Sequence, residues 1–238
     1  LKGVTPIRNH SCHFSRRLFT LILLPLWIFA LPGCASKGDV RTTTQKKEIS
    51  LQKIAVLPFQ IISPEDQTSN TVRCPLSGNL ARSCSTPEGA TDIIEDLFLE
   101  RLKTNSKLMI IPGDKTEGVY RRIWAESFKA SPVHVIMKVG KELGVDGIAV
   151  GHIYCYRERK GYSYSVEKPA SVSFELSLVR VSDGAILWNS YFDKTQESLM
   201  ENLLQIAAFI KGGGKWVTAR QLSADGMDRM METFPGFH

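Results

Sequence analysis

Residues 172–192 read VSFELSLVRVSDGAILWNSYF, and this stretch limits the fold more than any other. Val172, Phe174, Leu176 and Leu178 alternate with Ser173, Glu175, Ser177 and Val179. A period of two sends successive side chains to opposite faces of a sheet, so the segment is a strand with one apolar face. Asp183-Gly184 is a two-residue hairpin signal, which makes 185–192 the return strand.

The other elements follow from the same logic. The run KIAVLPFQII (53–62) is nearly continuous in apolar residues and reads as a strand buried on both faces, with Pro58 placing its second half at an edge or end. A long polar loop, 63–85, comes next, and its length implies that it is functional or pinned. Thr86-Pro87-Glu88 opens a helix with Thr86 as N-cap, and Ala90, Ile93, Ile94, Leu97, Phe98 and Leu102 recur at helical spacing. Residues 107–111 form a short strand, 116–129 and 131–143 two helices, the second capped by Ser131 and stopped by Gly144. A strand over 146–156 carries Gly147 and Gly151 where a neighbour approaches closely, and 157–170 is a charged hairpin connection. Helices are expected over 195–210 and 215–234, separated by Gly212-Gly213-Gly214. The order β-α-β-α-α-β-β-β-α-α is an α/β (α+β) fold, a mixed sheet covered by helices.

The N-terminal region follows different rules. Arg8, Arg16 and Arg17 precede an uncharged apolar run over 18–31, about 14 residues and too short to cross a ~30 Å hydrocarbon core as a helix. It ends in Leu31-Pro32-Gly33-Cys34. This resembles the lipobox of bacterial lipoproteins, with Pro32 as a mild departure. The resemblance implies a signal peptide over 1–33 and a mature chain starting at Cys34, carrying diacylglycerol on its thiol and a palmitate-type N-acyl chain. Ala35, in place of an Asp, resembles the outer-membrane default. Residues 34–50 are polar and read as a lipidated flexible tether, with 51–238 as a single periplasmic domain.

Removing 1–33 also removes four of the 30 basic residues, leaving 26 against 24 acidic ones. The net charge of +6 is therefore largely a property of the leader, which argues against a nucleic-acid partner. In an oxidising compartment Cys74 and Cys84, close together in the polar loop, are the disulfide candidate. A zinc site is rejected, because Cys74, Cys84, Cys155, His134, His152 and His238 have no ligand spacing.

KIAVLPF, LGVDGIAVGHI and ELSLVRVSDGAILWNSYF in that order resemble the core shared by envelope lipoproteins related to the TolB N-terminal domain, CsgG and LpoB. The matching positions are Gly144-Val145-Asp146 and Asp183-Gly184 with Trp188, and the likeness spans about 51–197. It implies a fold and a cell-envelope location rather than an activity. CsgG-like pores insert strands of ~9 to 11 residues, and 156–170 is too short for such a pair.

No catalytic pattern stands out. His134 and His152 read as surface or packed residues, Asp92, Glu95 and Asp96 as a solvated helix face, and Lys211-Gly-Gly-Gly-Lys215 lacks the strand and the Ser or Thr of a phosphate loop. Trp188, Phe192, Met227, Met230 and Met231 read first as core or capping residues and second as the candidate partner contacts. The expected function is a non-catalytic binding or scaffold component of an envelope assembly for secretion or wall synthesis, lipid-anchored, with envelope proteins or further copies as partners and no cofactor beyond the lipid on Cys34. The alternatives are a subunit of an oligomeric channel and a wall-directed hydrolase.

Overall fold

A computed structural model describes residues 39–44, 51–64, 66, 69–105, 107–127, 129–162, 165–196 and 217–236. The chain divides into two units, Leu1–Ser36 and Lys37–His238, and every described residue lies in the second. The leader, Cys34 and its lipobox, the glycine triplet and all but the first two residues of the helix expected over 195–210 lie outside the described residues.

The fold is the mixed α/β arrangement that the periodicities predict. Strands β1 (Asp39–Thr44), β2 (Lys53–Val56), β3 (Gln60–Ile61), β4 (Thr71–Arg73) and β5 (Leu80–Arg82) precede helix α1 (Ala90–Asn105). Then come β6 (Met109–Ile111), α2 (Gly113–Glu126), α3 (Pro132–Leu143) and the long β7 (Gly147–Arg157). The short β8 (Lys160–Tyr162) and β9 (Ser165–Lys168) lead to β10 (Ser171–Arg180), β11 (Ile186–Thr195) and α4 (Ala219–Met231). The main sheet runs β1-β11-β10-β7-β2-β6, with β3 also on β7, while β4-β5 and β8-β9 are separate hairpins. β2 lies parallel to β6 and β7, and β7, β10, β11 and β1 alternate in direction.

The period-two pattern of β10 is realised in full. Val172, Phe174, Leu176 and Leu178 join Trp188, Phe192 and Ile153 under α1 and α4 in one apolar core. Opposite them, Val179, Ile148 and Val150 pack against α2 and α3. β2 feeds both layers, Ile54 and Val56 into the first and Ala55 and Leu57 into the second, as a strand flanked by parallel neighbours must. Pro58 cannot donate to a ladder, so the expected single strand 53–62 divides there: Val56 pairs with Ala149 but Gln60 with His152. Gly151 is tight as expected, since a Cβ there would lie 2.5 Å from the Phe59 ring. Gly226 does the same on α4, whose backbone rests on the Phe192 ring and leaves no room for a Cβ.

Several boundaries differ from expectation. Residues 39–44 are not tether but an edge strand antiparallel to β11, where β-branched Thr and Val suit a pleated surface, Thr42 bonds the Ser190 hydroxyl at 2.8 Å and Val40 packs on the core. Thr86 does not cap α1. Its hydroxyl donates to the Cys84 carbonyl at 3.2 Å and accepts the Tyr156 N–H at 3.1 Å, and the helix starts at Ala90. Thr195 ends β11 instead of opening a helix. α4 begins at Ala219 because Thr218 and Gln221 form a capping box. The β10-β11 connection is wider than two residues, with the Asp183 carboxylate accepting the Ala185 N–H and the Arg180 guanidinium.

Candidate functional site

The polar half of the β10 pattern should face water, yet Ser171, Ser173, Glu175 and Ser177 are all buried. Their cover is the loop 63–85, which is pinned rather than loose: β4 and β5 form a hairpin lying across β7, β10 and β11. At the hairpin's open end Cys84 is bridged to Cys155 with Cα atoms 4.7 Å apart, its N–H donates to the Tyr154 carbonyl at 3.1 Å, and Arg82 is paired with Asp193 and Thr195. At the turn end Cys74 and Asn79 face the sheet, and the Ser77 N–H donates to the Cys74 sulfur at 3.4 Å.

The expected Cys74–Cys84 bridge is therefore corrected to Cys84–Cys155, with Cys74 a buried free thiol. The hairpin register explains it. Ser83 lies opposite Asn70, so Cys84 sits about five strand residues from Cys74, roughly 16 Å, against the 4.4–6.8 Å that a disulfide requires. A bulge in β7 supplies the partner: Ser173 opposes Cys155 while Phe174 opposes Ile153, which leaves Tyr154 unmatched and sends it to the same side as Cys155.

Beneath the hairpin the polar groups satisfy one another. Glu175, fully buried, accepts from the Tyr154 hydroxyl at 3.1 Å, the Asn189 amide at 2.5 Å and the Asn79 amide at 3.4 Å. Asn189 also donates to Ser177 at 2.9 Å, and the Ser173 and Tyr191 hydroxyls are hydrogen-bonded at 3.1 Å. His152 stands directly opposite Glu175 on β7, with its Nδ1 3.6 Å from the Cys74 sulfur. Burial opposes ionisation of Cys74, but the bond and charge of His152 outweigh it and bring the thiol down to about 7. Burial beside Glu175 drives the Tyr154 phenol far up, so it stays a donor.

At the hairpin's turn end the cluster opens into a cleft of about 440 Å³ walled by β1, β11 and the turn, with Arg41, Arg73, Asn79, Leu80, Asn189 and Tyr191 in its lining. Both guanidinium groups are held: Arg41 by Asp39 at 2.7 Å and over the Tyr191 ring at 5.8 Å, Arg73 by the Gly78 carbonyl at 2.7 Å. Leu80, 62% exposed, forms an apolar lip. Two planar guanidinium donors, amides and one apolar side chain suit a polar or acidic partner surface.

The candidate partner contacts are elsewhere. Trp188, Phe192, Met227, Met230 and Met231 are all core, because α4 turns its methionines onto the sheet and Trp188 donates to Thr233 at 3.0 Å with its ring 5.0 Å from Phe234. His134 is exposed, its backbone N–H bound to the Ser131 cap. Asp92 and Asp96 are exposed, whereas Glu95 turns inward to accept the Phe59 N–H at 3.2 Å, and burial raises its pKa. Among the described residues no group of three or more His, Cys, Asp or Glu could hold a metal ion. No described helix is long and apolar enough to cross a membrane.

No family model matches the chain, and no curated protein does. Solved structures with a similar arrangement include the PelC dodecamer of Paraburkholderia phytofirmans, 14% identical with a TM-score of 0.46, covering 82% of this chain and 95% of that one. Lipoprotein GNA1162 of Neisseria meningitidis is 13% identical with a TM-score of 0.35, over 69% and 99%. The LpoB C-terminal domain of Salmonella enterica is 11% identical with a TM-score of 0.33, over 62% and 86%. At such values these likenesses transfer no activity, ligand or assembly to this chain.

Proposed function

We propose that the protein is a cell-envelope lipoprotein, held on the outer membrane by acylated Cys34, that works as a non-catalytic binding component of an envelope assembly for secretion or wall synthesis. One observation carries this reading: the acceptor-like Cys34 lies only five residues before Asp39, the first residue of an edge strand built into the sheet. Five residues reach at most ~18 Å, so acylation would fix the domain close to the bilayer instead of letting it range on a long tether. Confinement of that kind raises the effective concentration of the domain toward membrane-bound partners.

The cleft beside Arg41 and Arg73 then serves as the partner contact. It lies further along β1 and β11 than Asp39 and its partner Asp193. The channel alternative asks for long inserted strands, and β8 and β9 have 3 and 4 residues against the ~9 to 11 that cross lipid.

Replacing Cys34 by Ser and fractionating the cells tests the anchor. Loss of the protein from membranes, with diacylglycerol on the wild-type N-terminus by mass spectrometry, is the expected result; equal membrane retention of the variant would refute it. A photo-crosslinker at Leu80 tests the binding face, which is expected to capture a defined envelope protein and to lose it in Arg41→Glu/Arg73→Glu.

A further inference from the structure

The sheet has two ends, and the strand register shows which elements share the end at which β1 begins. Asp39 pairs with Asp193, Thr195 with Ser171, and Ser171 with Arg157, so the start of β1 lies beside the end of β11, the start of β10 and the end of β7. The β8-β9 hairpin projects from this same end, since it joins Arg157 to Ser171 and pairs only with itself. The start of α4 is there too, its Ala219 N–H bound to Glu158 at 3.1 Å.

This end is basic. Arg157, Arg159, Lys160, Lys168 and Arg220 outnumber Glu158 and Glu167 here, while Lys194 is engaged by Asp225, Asp193 by Arg82 and Asp39 by Arg41. Most telling is the register of the hairpin, which sets Lys160 directly opposite Lys168, both exposed. Like charges facing each other across a strand pair destabilise it. Among the described residues no carboxylate is paired with either lysine.

We infer that the β8-β9 end of the sheet is a membrane-facing surface, on which Lys160 and Lys168, supported by Arg159 and Arg220, bind the phosphates of anionic phospholipid headgroups. The inference rests on the anchored reading, because a reach of at most ~18 Å from Cys34 keeps the start of β1, and with it the elements at this end, near the headgroup layer. An anion between the two lysines removes the repulsion that the hairpin otherwise carries, and each lysine at an anionic surface contributes to attachment. The acyl chains would hold the protein on the membrane and the hairpin would set its orientation, leaving the cleft pointing toward the periplasm.

The test uses the chain from residue 34 onward with Cys34→Ser, which has no lipid, and vesicles of phosphatidylcholine alone or with phosphatidylglycerol. Sedimentation should recover the protein with the anionic vesicles only, and recovery should fall as salt rises. Lys160→Gln/Lys168→Gln should lower the partition coefficient about 25-fold, from two charges of roughly fivefold each, with an unchanged circular dichroism spectrum. Equal recovery on both vesicle types, no recovery on either, or a double variant that binds like its parent would overturn the inference. The acylation experiment is separate: an unmodified Cys34 in cells with intact vesicle binding would reject the anchor and spare the surface, and the converse would reject the surface alone.

Discussion

The two faces of the β7-β10-β11 sheet are made by the same strands yet held by different physics. On the face toward α1 and α4, Val172, Phe174, Leu176, Trp188 and Phe192 are covered by apolar helix residues, and removal of surface from water is the stabilising force. On the other face, beyond the apolar patch that Val179, Ile148 and Val150 make under α2 and α3, Ser173, Glu175, Ser177, Asn189 and Tyr191 lie under a hairpin of six strand residues, kept in place by one disulfide, one Arg82–Asp193 pair and a set of directional bonds. Area burial tolerates small shifts, whereas a buried carboxylate with three neutral donors does not. The apolar face therefore sets stability, and the polar face sets where the hairpin sits and how the cleft is shaped.

The largest effect should come from the apolar face. Trp188→Ala removes a fully buried ring and leaves Thr233 without its donor, and about 4 to 5 kcal/mol of unfolding free energy should be lost in urea titration. A loss below about 1 kcal/mol would mean that α4 does not cover this face as described.

On the polar face, opening the bridge with Cys84→Ala/Cys155→Ala should destabilise by about 3 to 4 kcal/mol, since it releases a cross-link over a sequence separation of 71. The effect should also be local. Cys74, shielded in the bridged protein, should become reactive toward a thiol reagent at denaturant concentrations where the core, followed by tryptophan fluorescence, is still folded. Simultaneous loss of both signals would show that the two faces unfold as one unit.

How much of this was legible in the sequence divides along the same line. The apolar face was, because alternation in β10 and helical spacing in α1 are local signals. The polar face was not. The alternation placed Glu175 opposite the core but could not reveal that a distant segment covers it. Proximity in sequence favoured Cys74 with Cys84, while the true partner is chosen by a bulge at Tyr154 that no residue type announces. Polar DVRTTT reads as a tether for the same reason: what makes it a strand is the open edge of β11, a property of the assembled sheet. For the aromatic and methionine candidates the structure selects the core reading over partner contact, since Trp188 and Met227 look the same in sequence whether they cover a core or greet a partner, and only the burial separates the two.

The smallest effect is the most specific to the polar face. His152 holds the Cys74 thiol at about 7, below its ordinary value, so the folded state favours the thiolate more than the unfolded chain does. For a group whose folded pKa is depressed, the stabilisation is fully present above the unfolded value of ~8.5 and is lost as pH falls through about 7. Wild-type protein should therefore lose roughly 2 kcal/mol more than Cys74→Ala between pH 9 and pH 6, because each tenfold difference in acidity between the folded and unfolded thiol is worth about 1.4 kcal/mol. Thiolate absorbance near 240 nm should titrate over the same interval, and replacing His152 by Gln should move that titration upward. If the two proteins keep parallel stability profiles across this range, the sulfur is a neutral packing atom, and the hairpin is held by its disulfide and the Glu175 network without help from the imidazole.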